Sequence, residues 1–388
     1  MRFGAMMLAA LTLTLAPAAA ADEVATPAPE RVWLKGDLHV HSRHSEDSSN
    51  HPVAAILTFA KAMGMDFLLI SDHDNHVSGA TAVNTWADPE FRLDRIILLY
   101  GAEWTTHRGH ANPISARPYD HQQLYDLRDA RDVRIAALIQ ELGIHLSVNH
   151  PAGDDAFSMS YDMVVSLEVW NSVLWARNKA SMAVWDDLLK SGRMIAGRGG
   201  SDAHHGPVPN PDMTNARQRE ATANYIGTPT TWVLADGRNG DAVVAALTKG
   251  RIAISANPFA PRVEFSADLD ANGVADMLPG DNQAWSGAAV QFRIALVGGL
   301  EGAAPYAVTV VKNGAALQTP PCRRTARSPL PTPLRRLSGA ITASKFAGPC
   351  RPIRRCPMPA WCQATWWRCP IRFISISTRP SRRAAGSS

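Results

Sequence analysis

Apolar positions along this chain come in short runs, and each run gives way to polar residues of a recurring kind. Residues 32–42 (VWLKGDLHVHS) read as a strand ending in histidines, 66–74 (DFLLISDHD) as an apolar strand ending in acids and a histidine, and 95–104 (RIILLYGAEW) as another. Residues 144–151 (IHLSVNHP), 164–171 (VVSLEVWN), 194–204 (MIAGRGGSDAH) and 230–235 (TTWVLA) continue the series. Helical patterns lie between them. Residues 52–63 carry Pro52 near the first turn, 127–142 are closed by Gly143 and 180–189 near Gly192, and 240–247 form the last. Strand and helix in repeated alternation predict a largely parallel α/β domain. The polar residues fall at the C-terminal ends of the strands, the face on which such folds assemble their sites.

Beyond residue 257 the texture changes. Residues 288–299 and 305–317 alternate in strand fashion, and Asn313-Gly314 is a hairpin signal. We expect a small β-sandwich-like domain over 258–317, truncated at residue 318. From there hydrophobic periodicity is lost, and Arg, Pro, Ser, Cys and Trp dominate. Residues 361–375 (WCQATWWRCPIRFIS), re-read in a displaced frame, can give an ordinary strand ending, so 318–388 is expected to be either a frameshift product or a disordered tail without packed structure.

Length and composition add bounds. The 388 residues suffice for one large catalytic domain and a smaller one, and 46% are hydrophobic. No internal apolar run is long enough to span a bilayer, so no stable membrane association is expected. Arg2, an apolar stretch over 6–15, Pro17 and a run of alanines read as a signal peptide over 1–21, with an uncleaved anchor as the alternative. The mature chain would then be periplasmic or secreted. The formal net charge of +4 misleads. No Asp or Glu occurs after Glu301, and 14 of the 39 Lys and Arg lie in the tail, which leaves 25 basic against 35 acidic residues. No nucleic-acid partner is therefore inferred. All five cysteines (Cys322, Cys350, Cys356, Cys362 and Cys369) also lie in the tail.

Five clusters carry the chemistry. They are DLHVHSRHSED with His39, His41 and Asp47; SDHD with Asp72, His73 and Asp74; GAEWTTHRGHANP with Glu103, His107 and His110; NHP with His150; and GGSDAHH with Asp202, His204 and His205. His39 and His41, two apart on a strand, share a face and can bind one ion. A lone histidine means little, but unpaired charge at the end of five strands is costly, and a metal cluster would offset that cost. Nitrogen and oxygen donors without sulfur suit Zn, Mn or Fe. No G-x-S-x-G motif occurs, and the catalytic region has no cysteine.

The clusters DLHVHS, SDHD, GAEW, NHP and GSDAH resemble the motifs of the PHP (polymerase and histidinol phosphatase) metallohydrolases, over residues 33–257. KGDLHVHS, LEVWN and the leader look closer to the carbaryl hydrolase-like branch. The resemblance implies a distorted seven-stranded β/α barrel over 30–257 with two or three divalent ions. It implies that His39, His41, Glu103 and Asp202 hold the first ion, and that Glu103 bridges to a second held by His110 and His150. Asp47, His73 and His204 would hold a third. His107 competes with His110 for its place, and some relatives carry His where Asp47 stands. Glu103, Asp202 and His204 are the expected catalytic residues.

Around these, Asp72, Asp74 and His205 either orient ligand imidazoles or are solvated. Asn171 and Trp170 line the pocket or, for Trp170, the core. Arg198 meets an anionic substrate group or lies at the surface. Asp268, Asp270 and Asn272 before Gly273 read as an Asx-rich turn, since Pro279 stands where a calcium loop needs Glu. The expected activity is hydrolysis of a small-molecule substrate by water that bound metal has acidified. The substrate is a phosphoester or, alternatively, a carbamate or carboxylic ester; a non-catalytic metal binder is the third reading.

Overall fold

The computed structural model describes residues 31–48, 51–76, 80–92, 96–173, 175–205, 225–284, 287, 289–299, 307–317, 339–341 and 373–377. The leader lies outside these residues. Among them, no helix is long and apolar enough to cross a membrane.

Two open five-stranded sheets face each other. In the first, β1 (Val32–Asp37), β2 (Phe67–Leu69) and β3 (Ile97–Leu99) run parallel. Strands β9 (Thr230–Ala235) and β10 (Ile252–Ser255) add antiparallel on the other side of β1. In the second, β4 (Trp104–Thr106), β5 (Gly109–Ile114) and β6 (His145–Val148) are antiparallel neighbours. Strands β7 (Ser166–Asn171) and β8 (Ala196–Gly200) continue from β6 in parallel. The mixed α/β expectation agrees with this; the strands form two open sheets, not one seven-stranded distorted barrel sheet. Strands β2, β3 and β4 have three residues each, too few to carry a continuous ladder around a ring. The seams are stitched by single contacts instead. Tyr100 and Ser115 exchange two backbone hydrogen bonds of 2.8 Å. On the opposite seam the Thr231 hydroxyl donates to the Gly199 carbonyl at 2.8 Å.

Strand periodicity builds the core. Phe67 and Leu69 point between the sheets with Leu34, Leu99, Trp104, Leu146 and Leu167. Leu68 and Ile70 point the other way, against Ile56 and Leu57 of α1 (Val53–Ala62). Residues 95–104, expected as one strand, are divided. The chain leaves the first sheet after Leu99 and joins the second at Trp104. Gly101 makes the crossing possible, because a Cβ there would meet the Pro113 carbonyl oxygen at 2.5 Å. The crossing places Glu103 between the sheets.

Helix α2 spans Thr81–Ala87. The helix expected over 127–142 starts five residues late, and a separate short helix lies before it. Helix α3 is His121–Asp126, and α4 starts only at Asp132 and runs to Leu142. Arg131 is extended, and the Asp132 carboxylate is engaged by Arg108 at 2.8 Å and by the Ser160 N–H at 2.7 Å. Tertiary bonds thus set the start. Gly143 caps α4 with φ 61°, as expected. Helix α5 (Trp175–Lys190) extends five residues upstream of its expected start at 180, and α6 is Gly240–Thr248.

Strands β11 (Arg262–Asp268) and β12 (Gln291–Val297) pair antiparallel, and β13 (Ala307–Lys312) turns into β14 (Ala315–Ala316) through Asn313-Gly314. Both turn residues have positive φ, 52° and 81°, as the hairpin signal requires. Val263, Phe265, Ala267, Met277 and Val308 form a small separate core. Two short segments beyond residue 317 take strand form. Strand β15 (Gly339–Ile341) pairs with β12, and β16 (Phe373–Ser377) pairs with β13. The FISIS alternation of β16 suits an added strand. The rest of the tail lies outside the described residues.

Candidate metal centre

Strand β1 delivers the first ligands. It ends at Asp37, a wholly buried carboxylate that accepts the backbone N–H groups of His39, Ser201 and Gly227 at 3.1, 3.0 and 2.6 Å. Burial pushes the Asp37 pKa up against these bonds. One carboxylate thus pins three segments at the rim of the sheets. Leu38 and Val40 turn into the two cores while His39 and His41, two apart, share the other side, wholly buried.

His39 Nε2 and His41 Nε2 each lie 3.3 Å from Glu103 Oε2 and 3.3 Å from Asp202 Oδ1. His39 Nε2, His41 Nε2 and Glu103 Oε2 are buried without an aligned hydrogen-bond partner. The four atoms are close because they point at a common centre, not at one another. Four atoms joined by four such contacts can surround a centre about 2.0–2.3 Å from each, close to the Zn–N and Zn–O distances. The donor set therefore fits a divalent cation. Burial alone would disfavour charge on all four. The carboxylates of Asp202, Glu103 and Glu168 nevertheless hold His39 well above the usual imidazole range. Glu103 and Asp202 lie well below the usual carboxylate range, despite burial, because of the histidines around them. His41 moves down, through burial and the neighbouring imidazoles of His204 and His73.

Glu103 faces two ways. Its Oε1 lies 3.1 Å from His110 Nδ1 and 3.2 Å from His150 Nε2, and takes the Asn149 side-chain N–H at 2.9 Å. His150 Nδ1 is another buried atom without a partner. The crossing that splits 95–104 is what lets one carboxylate serve both groups. His107 does not compete. It is 70% exposed in the β4–β5 turn and pairs with Asp129. His150 and Asp202 have φ of 25° and 53°, unusual for non-glycine residues. The Asp202 N–H donates to the His39 carbonyl at 2.8 Å, which ties the two ligand segments together.

A third group joins His41, His73 and His204, whose rings stack around His41 at centroid distances of 4.5 and 4.0 Å. Asp47 Oδ2 lies 3.1 Å from His204 Nε2 and 3.5 Å from His73 Nε2. Burial would lower His204, but its bond to Asp47 and the charges of Asp202 and Asp47 outweigh it and push the ring up to about 9. Burial would raise Asp47, and the same histidines hold it far below the usual range.

No family model matches the chain. No curated protein matches it either. Solved structures similar to it include a two-domain protein containing a predicted PHP-like metal-dependent phosphoesterase from Bacteroides vulgatus, 16% identical, covering 93% of this chain and 100% of that one with a TM-score of 0.42. PsfC from Pseudomonas syringae is 18% identical and covers 56% of this chain and 89% of its own, with a TM-score of 0.39. The functional reading rests on the site's own residues.

Behind the ligands stands a layer that fixes the imidazole tautomers. His39 Nδ1 donates to Glu168 Oε1 at 3.1 Å. His41 Nδ1 meets Ser45 Oγ at 3.3 Å, and that hydroxyl donates to Asp72 Oδ1 at 3.0 Å, so it accepts from the ring. His73 Nδ1 meets Thr105 Oγ1 at 2.8 Å, whose proton goes to the Glu103 carbonyl. His204 Nδ1 donates to the Asp202 carbonyl at 3.0 Å. In all four rings Nδ1 carries the hydrogen and Nε2 keeps its lone pair for a ligand. Glu168 was not singled out from the sequence. It is fully buried inside β7, and the charges of His39 and Arg198 outweigh burial and bring it down to about 2. An acid within the apolar run SLEVW was the available signal. Gly200 leaves room for it, since a Cβ there would meet Glu168 Oε1 at 2.2 Å.

Several expectations change here. Arg198 reaches neither substrate nor surface. It is fully buried and donates to Glu168 at 2.9 Å, with further bonds to Ser147 and Asn149. Asp72 acts on His41 only through Ser45, and also takes Ser42 and Thr85. Asp74 holds His121 and the Thr105 N–H instead of a ligand ring. Asn171 donates to both Glu168 and Asp202, at 2.9 and 3.1 Å. Trp170 packs at the margin of the main core and donates to the Ser172 carbonyl. His205 is buried beside His204. In the acidic turn after β11, Asp270, Asp268 and Asn272 accept the N–H groups of Asn272, Gly273 and Val274.

Proposed function

We propose that this chain is a metal-dependent hydrolase acting on the phosphoester of a small molecule. The observation that carries the reading is the convergence of the unpartnered buried atoms His39 Nε2, His41 Nε2 and Glu103 Oε2 on one centre, with the other oxygen of Glu103 facing His110 and His150. A non-catalytic binder would need one such group, not three adjoining ones that share Glu103, His41 and His73.

His39, His41, Glu103 and Asp202 would hold the first ion, Glu103 with His110 and His150 the second, and Asp47, His73 and His204 the third. Divalent ions so placed supply Lewis acidity towards phosphoryl oxygens and lower the pKa of bound water. The chain's own work is placement. Glu168, Ser45, Thr105 and the Asp202 carbonyl keep each Nε2 free and aimed, and Asn171 orients Asp202. Adjoining cation positions suit the several oxygens of a phosphoryl group, whereas a carbonyl offers one. Zn, Mn or Fe all fit the nitrogen and oxygen donors.

The carbamate or ester reading draws on the wording KGDLHVHS and LEVWN. In LEVWN, Glu168 and Asn171 hold ligands in place, a task either substrate class would need. Hydrolysis of p-nitrophenyl phosphate, bis-p-nitrophenyl phosphate and a 1-naphthyl methylcarbamate by metal-reconstituted protein separates the two. Phosphoester turnover is expected; carbamate turnover alone would overturn the substrate assignment. The leader-like start further supports export to the periplasm or medium, which cell fractionation tests.

A further inference from the structure

His76 lies outside the residues assigned so far. It closes the short helical turn Asp74–His76 after the second cluster. Its ring sits 4.7 Å from that of His73, and ligand atoms of Asp47, His73 and His76 lie within 4.8 Å of one another. Two features suggest that these atoms are free to take an ion. Asp47 turns Oδ2 inward to His204 and His73, while its Oδ1 is buried without a hydrogen-bond partner. His76 Nδ1 accepts only the exposed Glu46 N–H at 3.2 Å, the long end of the ordinary range. Water can satisfy that N–H if the ring lets go. His73 belongs also to the inner trio with Asp47 and His204. With Nδ1 committed to Thr105, His73 has one nitrogen, Nε2, to offer either trio.

We infer that Asp47, His73 and His76 form an outer cation position at the rim of the centre, occupied by a divalent ion in alternation with the inner position of Asp47, His73 and His204. This rests on the metal-centre reading above. It gives the most exposed ion two addresses that share Asp47 and the His73 imidazole, a route for loading and exchange.

The test is titration of the metal-stripped full chain with Co²⁺, read by its visible absorption and by equilibrium dialysis. In His76→Ala the weakest-bound equivalent should bind about twofold or more weakly, as expected when one of two alternating positions is lost, with the tighter equivalents unchanged. His76→Gln should match it. His107→Ala, which removes an exposed imidazole, should titrate like the parent. In His204→Ala the weak equivalent should persist with an altered spectrum, and the double variant His204→Ala/His76→Ala should lose it. Superposition of His76→Ala on the parent, or loss of the weak equivalent in His204→Ala alone, would overturn the outer position. A parent that binds no Co²⁺ would instead overturn the metal centre itself.

Discussion

His39 and His76 stand at opposite ends of one cluster and are held in opposite ways. His39 lies directly beyond a central strand, is wholly buried, and has its Nδ1 on Glu168, which Arg198 and Asn171 brace in turn. His76 sits on a single helical turn, partly exposed, with one long bond to a backbone N–H. The inner end is preorganised, with tautomers fixed before any ion arrives. The outer end is adaptable. Such a gradient suits a centre that keeps its core ions and exchanges its rim ion.

The largest effects should come from the inner ligands. His39→Ala or Asp202→Ala should lower turnover by more than about 100-fold, beyond the range of outer-shell changes, with loss of bound metal. Activity within a few-fold of the parent in both would break the distinction between the two ends. Next comes the brace. Arg198→Ala removes the buried guanidinium from Glu168, which keeps only His39, Asn171 and the His150 N–H as partners, and breaking a buried pair should cost about 3–5 kcal/mol of stability, measurable by urea denaturation. Glu168→Gln keeps the shape but removes the charge behind His39. It should weaken metal affinity about 10–100-fold while the fold survives, and an unchanged affinity would deny Glu168 its orienting role.

A smaller effect should appear in the pH dependence of stability. His145, buried in β6 between Thr248 and Ser166, is pushed down to about 3 by burial and by the Arg198 charge. Its folded pKa is below its unfolded one. The unfolded chain therefore takes up a proton that the folded chain refuses. Stability from this group is complete above about pH 6.5 and falls by about 1.4 kcal/mol per unit as pH drops towards 3. Melting curves of His145→Gln should show a shallower acid limb than the parent. The smallest effect belongs to His107→Ala, whose turnover and metal content should match the parent.

Much of this centre was legible before folding, because its ligands end strands. The spacing of His39 and His41 alone puts both on one face, and His73, Glu103, His110, Asp202 and His204 from the other clusters do meet them. What escaped depended on long-range geometry. Nothing local shows that 95–104 changes sheets at Gly101 and carries Glu103 between two groups. Arg198 looked free for a substrate because its partners, Glu168 and Asn149, are 30 and 49 residues away. The sheets stay open where β2, β3 and β4 have three residues each, and the start of α4 was moved by Arg108 and Ser160, which contact it from other segments. Glu168 was readable as an acid inside an apolar strand, but its task needed the neighbour that folding supplies.

The most direct test of the centre is elemental analysis of the reconstituted parent and Asp202→Ala by inductively coupled plasma mass spectrometry, alongside their turnover of bis-p-nitrophenyl phosphate. The parent should retain two or three equivalents of Zn, Mn or Fe and turn over the diester, while the variant loses metal and activity together. Equal metal content in both, or a parent that is fully active with no metal bound, would contradict the account.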